Sequence, residues 1–361
     1  MLPRKQVYQL LFFQKNPDNV FSNIPKDVIR LISDVGFDPN SDIAELLHYI
    51  VYGNVVEIKR MLDDNPELLD ESGNVETPGG DQVIRVRPYE CALGTGDHYK
   101  DDQGIEMIPL IASYFDKIKD GEAKRAEQYA TYKPYIDNII DQKPYAGYGE
   151  LFEIIKSKSS SPADVAAALK KEFIKGNALH DALLKHIEAR APGKIVKGMH
   201  YNYANLPHIL KMRDDEWNNL VVREEGKDPN YDKCILINRL VFGQELRRLP
   251  MCERQALAGG LFDLLEGYVT FTRSLKFKDS DVDVDSFPCT AGDKSRSGLG
   301  WDYFVDLFVD DARPRGVQWG AGARGDVAAR VGAACFETCF EQKILALRKV
   351  DERSFSPAKS P

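Results

Sequence analysis

Two short amphipathic segments joined by a Gly-Asn break, within residues 42–66, constrain the fold of this chain more than any other feature. Apolar residues recur there at the i, i+3, i+4 spacing of a helix face, and the pattern stops at Gly53-Asn54 and again at Asn65-Pro66. The spacing predicts a helix, a tight turn and a second helix, each with an apolar face that a neighbouring helix pair must cover. These apolar positions are Leu46, Leu47, Ile50, Val51, Val55, Ile58, Met61 and Leu62.

A second helical pattern follows a turn-rich excursion, DESGNVETPGGDQ, and begins in RVRPYECALGTGDHY. A further helix is predicted from about residue 103 to residue 116. The region resembles an ankyrin repeat array. Pro88-Tyr89-Glu90-Cys91-Ala92 stands where that family has T-P-L-H-x-A, with Glu90 in place of its histidine, and Gly96-Asp97 stands at its inter-helix glycine. GNVVEIKRMLDDNPELL matches the second helix of the preceding repeat. The resemblance implies two repeats that lean on flanking domains and bind a protein partner.

Composition narrows the class of protein. The chain has 361 residues and a formal net charge of -8, which argues against a general binder of nucleic acid or of membrane surfaces. The apolar run at residues 10–13 is too short to span a membrane and lacks the cleavage site of a secretory signal. We therefore predict no integral membrane association, and the sequence indicates no cofactor.

The six cysteines form no CxxC pair, so we interpret them as reduced thiols in a cytosol-like compartment. Cys335 and Cys339 lie one helical turn apart, a spacing more typical of packing than of a zinc site. His180 and His186 are six residues apart and are interpreted as surface or core residues rather than metal ligands. No metal site is predicted.

Changes in residue pattern along the chain predict how it divides into segments. Ser161-Pro162 followed by Asp164 is typical of a helix start, whereas KIVKGMHYNY and YVTFTRSLKF alternate as strands do. We predict a helix-rich α+β protein, with a short ankyrin array packed on an α+β domain of cysteine-protease-like type. The predicted segments are 1–40, a helical cap with a weak F-box likeness; 42–118, ankyrin repeats; 119–192, a helical connector; 193–350, the α+β domain; and 351–361, a disordered tail.

Cys252 follows Pro250 at the start of a predicted helix. At about 100° per residue, Leu257, Leu261 and Leu264 fall on one apolar stripe and Cys252 on the opposite side. Two interpretations stay open. The thiol is a structural residue on a tightly packed face, or the positive end of the helix lowers its pKa and makes it a nucleophile.

The residues before Cys252 follow the chain order histidine, acid, glutamine, cysteine. This order resembles that of the group containing ubiquitin-like-protein proteases and bacterial acetyltransferases. The resemblance implies Cys252 as nucleophile, His200 as base, Asp215 as the acid that orients the base, and Gln244 as oxyanion donor.

Alternatives remain within that assignment. His208 is a second candidate base, and Asp214 or Glu216 could replace Asp215. The sequence departs from the group where Tyr201 stands in place of a tryptophan and Glu253 in place of a glycine. An active hydrolase or acyltransferase and a degenerate one both fit this pattern.

Two further motifs are weaker. GAGARG at 320–325 has the spacing of a dinucleotide-binding loop, but too few residues follow it to complete such a domain. Aspartates alternate with other residues at 279–285, and the acidic face of a strand explains them better than a calcium loop.

Three blocks downstream of the ankyrin-like segment, LPMCERQALAGGL, TRSLKF and SGLGWDY, resemble a C-terminal module of ankyrin-containing effectors. Legionella and Coxiella secrete these effectors through the Dot/Icm type IV system. The resemblance implies a bacterial protein that is delivered to the host cytoplasm without a cleaved signal and binds a host protein through its ankyrin segment. The alternative is a non-enzymatic scaffold protein. The sequence leaves the partner, the substrate and the oligomeric state open.

Overall fold

A computed structural model of the protein describes residues 41–157, 160–170, 172–220, 231–237, 241–259, 261–267, 270–274 and 325–354. Several predicted features lie outside the described residues. They are the segment 1–40, the aspartates at 279–285, the SGLGWDY block, the glycine-rich stretch up to residue 324 and the tail from residue 355.

The described part of the chain is a helix-rich α+β structure with a small three-stranded sheet. Its strands are β1 (Gly73–Glu76), β2 (Gln82–Val86) and β3 (Lys194–Ile195). Its α-helices are α1 (Asp42–Tyr52), α2 (Val55–Asp64), α3 (Pro88–Thr95), α4 (Met107–Ser113), α5 (Gly121–Asp137), α6 (Gly147–Lys156), α7 (Pro162–Leu169), α8 (Ala178–Ala189), α9 (Asn205–Leu220), α10 (Tyr231–Ile237), α11 (Gly243–Arg248), α12 (Met251–Gly259), α13 (Leu261–Leu265) and α14 (Gly325–Ser354).

The first helix pair, α1 and α2, forms where the apolar spacing predicts it. The side chain of Ser41 accepts a hydrogen bond from the Ala44 N–H and caps the start of α1. Gly53 ends α1 in the left-handed conformation at φ 71°, which favours a residue without a Cβ atom. Asn54 then caps α2 through its side chain. The predicted helix, break and second helix are confirmed.

A second helix pair, α3 and α4, stacks on the first. The excursion between the pairs, expected to be turns, forms the antiparallel hairpin of β1 and β2. Pro88 is the first residue of α3, where its missing N–H costs nothing, and Gly96 ends this helix at φ 64°. Helix α1 packs on α3 and α2 packs on α4. Each pair thus covers the apolar face of the other.

The predicted strand at 194–203 is only partly present. Its first two residues form β3, which pairs in parallel with β2 through Gln82↔Lys194 and Val83↔Ile195. The chain then leaves the sheet, and His200 lies in an irregular segment. β3 is therefore a two-residue edge strand that lies beside β2.

Helix α7 begins as its sequence predicts. Ser161 caps it by accepting a hydrogen bond from the Asp164 N–H, and the Asp164 carboxylate accepts one from the Ser161 N–H in return. This predicted helix start is confirmed.

The hydrophobic core runs without interruption from Ile43 in α1 to Leu347 in α14. Helix α14 packs against α9 and α5. It continues to Ser354, so the first residues of the predicted tail are helical. Because one core passes through 42–118, 119–192 and 193–350, the boundaries between these segments stay predictions. Within the described residues, no helix is long and apolar enough to cross a membrane.

Candidate functional site

Cys252 is the second residue of α12, directly after the turn at Pro250. Its side chain is 2% exposed, and Leu257, on the other side of the helix, is 1% exposed. The helix is therefore buried on both faces at this point. The face that carries Cys252, although off the apolar stripe, is part of the interior.

Three groups surround the thiol of Cys252. Its Sγ donates a hydrogen bond to Oε2 of Glu253 at 2.9 Å. The Thr95 carbonyl oxygen lies 3.9 Å from Sγ, and Nζ of Lys343 lies 4.0 Å from it. The thiol thus sits between the start of α12, the end of α3 and the middle of α14.

Lys343 is the centre of this cluster. Its side chain is fully buried, and its ammonium forms an ion pair with the equally buried Glu253. Nζ also donates to the Tyr203 hydroxyl at 2.7 Å and to the Thr95 carbonyl at 3.2 Å. An ammonium has three N–H donors, and each of them has a partner here.

Helix ends add to the electrostatics of this cluster. Thr95 is the last residue of α3, and the carbonyl end of a helix carries a partial negative charge that favours the Lys343 cation. Glu253 lies in the first turn of α12, where a carboxylate is favoured. Both helix ends therefore stabilise the ion pair.

Burial governs the protonation of Cys252. Desolvation, followed by the charge of Glu253, raises the pKa of the Cys252 thiol well above its ordinary value, although Lys343 opposes the shift. Of the two interpretations that the helix start left open, these surroundings favour the structural thiol over the one with a lowered pKa. The thiol donates its hydrogen bond to Glu253.

Lys343 keeps its charge in the same surroundings. Desolvation opposes the charged form, but the neighbouring groups of Cys252, Glu253 and Tyr203 outweigh it and raise the pKa of Lys343 well above its ordinary value. A charged lysine can remain in the interior because its partners replace the lost water.

A second layer of side chains extends from the cluster. The hydroxyl of Tyr99 lies 2.7 Å from Sγ of Cys339, and the Tyr99 ring stacks on Phe271. Arg273 forms an ion pair with Asp97. The prediction that Cys335 and Cys339 have packing roles agrees with their burial. Both are free thiols, as are Cys91 and Cys252.

His200 lies against α3 and not in a hydrogen bond with Cys252. Its backbone N–H donates to the Gly94 carbonyl at 2.9 Å, and its ring rests on Gly94, where a Cβ atom would meet it. Both ring nitrogens are buried and form no hydrogen bond with the described residues. Burial, aided by the charge of Lys343, lowers the pKa of His200 to about 3. The ring is thus neutral, and no hydrogen bond connects it to the thiol that it is predicted to activate.

The other predicted site residues have separate surroundings. Asp215 is exposed on α9, and the side chains of Asp214 and Glu216 lie outside the described residues. Gln244 is half-buried beside His186, whose pKa burial lowers to about 4. Among the described residues, no hydrogen bond connects Cys252 with His200, Asp215 or Gln244. These residues keep their assignment as a prediction from resemblance only.

His208, the second candidate base, is half-buried on α9, and its ring lies 6.2 Å from that of Tyr148. His180 is a core residue, as predicted: Nδ1 accepts from the Ile174 N–H at 2.8 Å and Nε2 lies 3.0 Å from the Asp164 carbonyl. His186 is buried as well.

Comparison with known proteins adds no assignment. No protein-family model, no curated protein sequence and no solved structure matches this chain. Within the described residues, no cluster of histidine, cysteine and carboxylate side chains has the arrangement of a metal site.

Sequence reasoning missed Lys343 and assigned no role to Glu253. A signal for Lys343 was present, because it falls on the apolar stripe of α14 formed by Phe336, Phe340 and Leu347. A lysine on such a stripe needs a buried partner. The partner is Glu253, the residue at which the sequence departs from the group that its histidine, acid, glutamine, cysteine order resembles.

Proposed function

We propose that this chain is an interaction protein that binds a partner protein through the stacked helix pairs of residues 42–118. The observation that carries this proposal is the stacking of α1 on α3 and of α2 on α4, with a hairpin between the pairs. It agrees with the ankyrin resemblance of the same segment, and arrays of this kind present extended binding surfaces. By the resemblance to bacterial effectors, the partner is a host protein.

The remainder of the chain is proposed to be a scaffold and not an active hydrolase. A nucleophilic cysteine needs an accessible thiolate and a base within hydrogen-bond reach. Cys252 instead has a buried thiol that donates to Glu253, beside the ammonium of Lys343. This arrangement supports a structural role for the cysteine.

The scaffold assignment is tested by thiol alkylation of the native protein with iodoacetamide at pH 6.5. Cys252 is expected to stay unmodified until the protein is unfolded, as followed by peptide mass spectrometry. Rapid native labelling of Cys252 that falls in His200→Ala would overturn the assignment and favour the catalytic alternative.

The binding assignment is tested with matched surface variants. Val56 is 73% exposed on α2, and Ile174 is 58% exposed outside the helix pairs. Wild-type protein and the Val56→Glu and Ile174→Glu variants are used to isolate partners from host-cell lysate, and each candidate is then measured with purified components. We expect a partner that binds wild type and Ile174→Glu but binds Val56→Glu at least tenfold more weakly. Equal binding by all three proteins would count against this surface.

Delivery into a host cell is proposed from the effector resemblance alone. A fusion of the full chain to a translocation reporter is expressed in a bacterium with the Dot/Icm system and in a secretion-deficient strain. Reporter signal in host cells is expected only from the first strain. Signal from both strains or from neither would contradict delivery by this route.

A further inference from the structure

A polar cleft opens beside His200, between the turn that joins β1 to β2 and the segment that runs from the end of α8 through residue 202. It has a volume of about 410 Å³, within the range of small-molecule sites. Its walls include Asp81 from the turn between β1 and β2, Arg190 after α8, Lys194 in β3, Tyr201 and Arg248 at the end of α11.

The cleft is cationic although the whole chain is acidic. Its lining contains four cationic side chains, those of Lys143, Arg190, Lys194 and Arg248, and one carboxylate, that of Asp81. The full sequence has a formal net charge of -8. Positive charge is therefore concentrated here against the overall balance, which favours an anionic ligand.

Buried carboxylates hold the two arginines in place. Arg248 donates to both oxygens of Asp81, at 3.0 and 3.1 Å, and to the Arg190 carbonyl at 2.7 Å. Arg190 forms an ion pair with Glu245, which is fully buried. The guanidinium groups are thus oriented before any ligand arrives, and preorganised donors lose less entropy on binding.

The two lysines supply charge that no carboxylate among the described residues neutralises. Lys143 and Lys194 are exposed, and neither forms an ion pair with the described residues. In contrast, Asp81 is occupied by Arg248 and by the Gly193 N–H, which donates to it at 2.7 Å. Its negative charge is therefore offset, and the cleft keeps the excess positive charge of the lysines.

His200 contributes a buried polar group to the wall. It is 5% exposed, it lines the cleft, and its ring nitrogens form no hydrogen bond with the described residues. Buried polar groups usually have partners, and a molecule bound in the cleft could supply the partner that these nitrogens lack among the described residues.

From this cavity and its charges, we propose that the cleft binds a small, multiply charged anion that bears phosphate or carboxylate groups. Both groups accept hydrogen bonds from a guanidinium fork and pair with lysine ammonium groups. The exposed lysines would attract the anion by their charge, and the oriented arginines would donate directional hydrogen bonds to it.

The test uses the full chain and two probes, inorganic pyrophosphate and citrate, measured by isothermal titration calorimetry at low salt. Binding of pyrophosphate alone assigns the site to phosphate ligands, and binding of citrate alone assigns it to carboxylates. Binding of both supports the shared chemistry, and absence of binding by either probe overturns the proposal.

Matched variants locate the binding. Lys143→Gln and Lys194→Gln are each expected to weaken binding about fivefold, as loss of one exposed ion pair does, whereas Lys194→Arg retains it. Lys59→Gln, an exposed lysine on α2, changes the net charge equally and should leave the affinity unchanged. Equal losses in Lys59→Gln and Lys194→Gln would show a general charge effect and overturn the cleft as the site.

Discussion

The ammonium of Lys343 and the carboxylate of Glu253 form an ion pair in the interior, with neither side chain more than 1% exposed. The pair connects α14, near the end of the chain, with the start of α12. Through the Thr95 carbonyl it also reaches the end of α3, within the ankyrin-like segment. Lys343 thus connects α14 to the start of α12 and to the end of α3.

We expect Lys343→Met to lower the free energy of unfolding by about 3–5 kcal/mol, because it leaves Glu253 charged and unpaired in the interior. The measurement is chemical denaturation followed by circular dichroism. Lys349→Met, at an exposed position of the same helix, should change the stability by less than about 0.5 kcal/mol.

A double variant separates the ion pair from packing. Lys343→Met combined with Glu253→Gln removes both charges, and we expect it to recover most of the lost stability. A double variant no more stable than Lys343→Met would mean that lysine packing, and not its charge, is what matters.

Gly94 is predicted to tolerate no side chain. A Cβ atom there would lie 2.7 Å from Cδ2 of the His200 ring, well inside van der Waals contact. We expect Gly94→Ala to lower the stability by about 1–3 kcal/mol, the range typical of overpacked interiors. Denaturation of the purified variant measures the loss.

The same contact makes a testable pair. In a His200→Ala background the obstructing ring is absent, so Gly94→Ala should cost much less than in the wild-type protein. Equal costs in both backgrounds would show that the ring moves aside freely or that the penalty arises elsewhere.

Local signals predicted much of the helical part of the fold. Gly53, Pro88 and Ser161 act on their own neighbours, through a left-handed turn, a preset φ angle or a capping hydrogen bond. Such effects need no knowledge of distant residues. The helix boundaries at these positions follow from them.

The sheet and the cluster depend on partners that are distant in the sequence, and local patterns do not predict such pairings. The excursion at 70–82 contributes to a hairpin of β1 and β2, and Lys194–Ile195, more than a hundred residues later, adds the third strand of the sheet. Lys343 and Cys252 are 91 positions apart in the chain. Next to Gln244, the predicted oxyanion donor, Glu245 is fully buried in an ion pair with Arg190, a contact 55 positions away in the chain that no local pattern indicates.

The capping box of α7 offers a small but specific prediction. Ser161→Ala removes the acceptor for the Asp164 N–H, and we expect a loss of about 1 kcal/mol in the free energy of unfolding. Ser161→Thr should retain most of the stability because it keeps a hydroxyl that accepts from the Asp164 N–H and donates to the Asp164 carboxylate. If the alanine and threonine variants were equally destabilised, the cap would not be the cause.

Three histidines make the protein sensitive to acid. Burial is the main cause in each case, and it lowers the pKa of His98 and His200 to about 3 and that of His186 to about 4, from an ordinary value of 6.5. Between these values the unfolded chain binds protons that the folded protein does not. The free energy of unfolding therefore falls as the pH decreases from about 6.5 towards 4.

Replacing His200 isolates its share of this pH dependence. Urea denaturation of wild type and His200→Gln at several pH values between 4 and 6 gives the slope of stability against pH. One such histidine contributes up to about 1.4 kcal/mol per pH unit, and the variant should lose that part of the slope. His48→Gln, at an exposed position, should change the slope less. Because the slopes are compared, and not the absolute stabilities, a general loss of stability in His200→Gln does not affect the result. An unchanged slope would show that His200 is already protonated in the folded protein within this range.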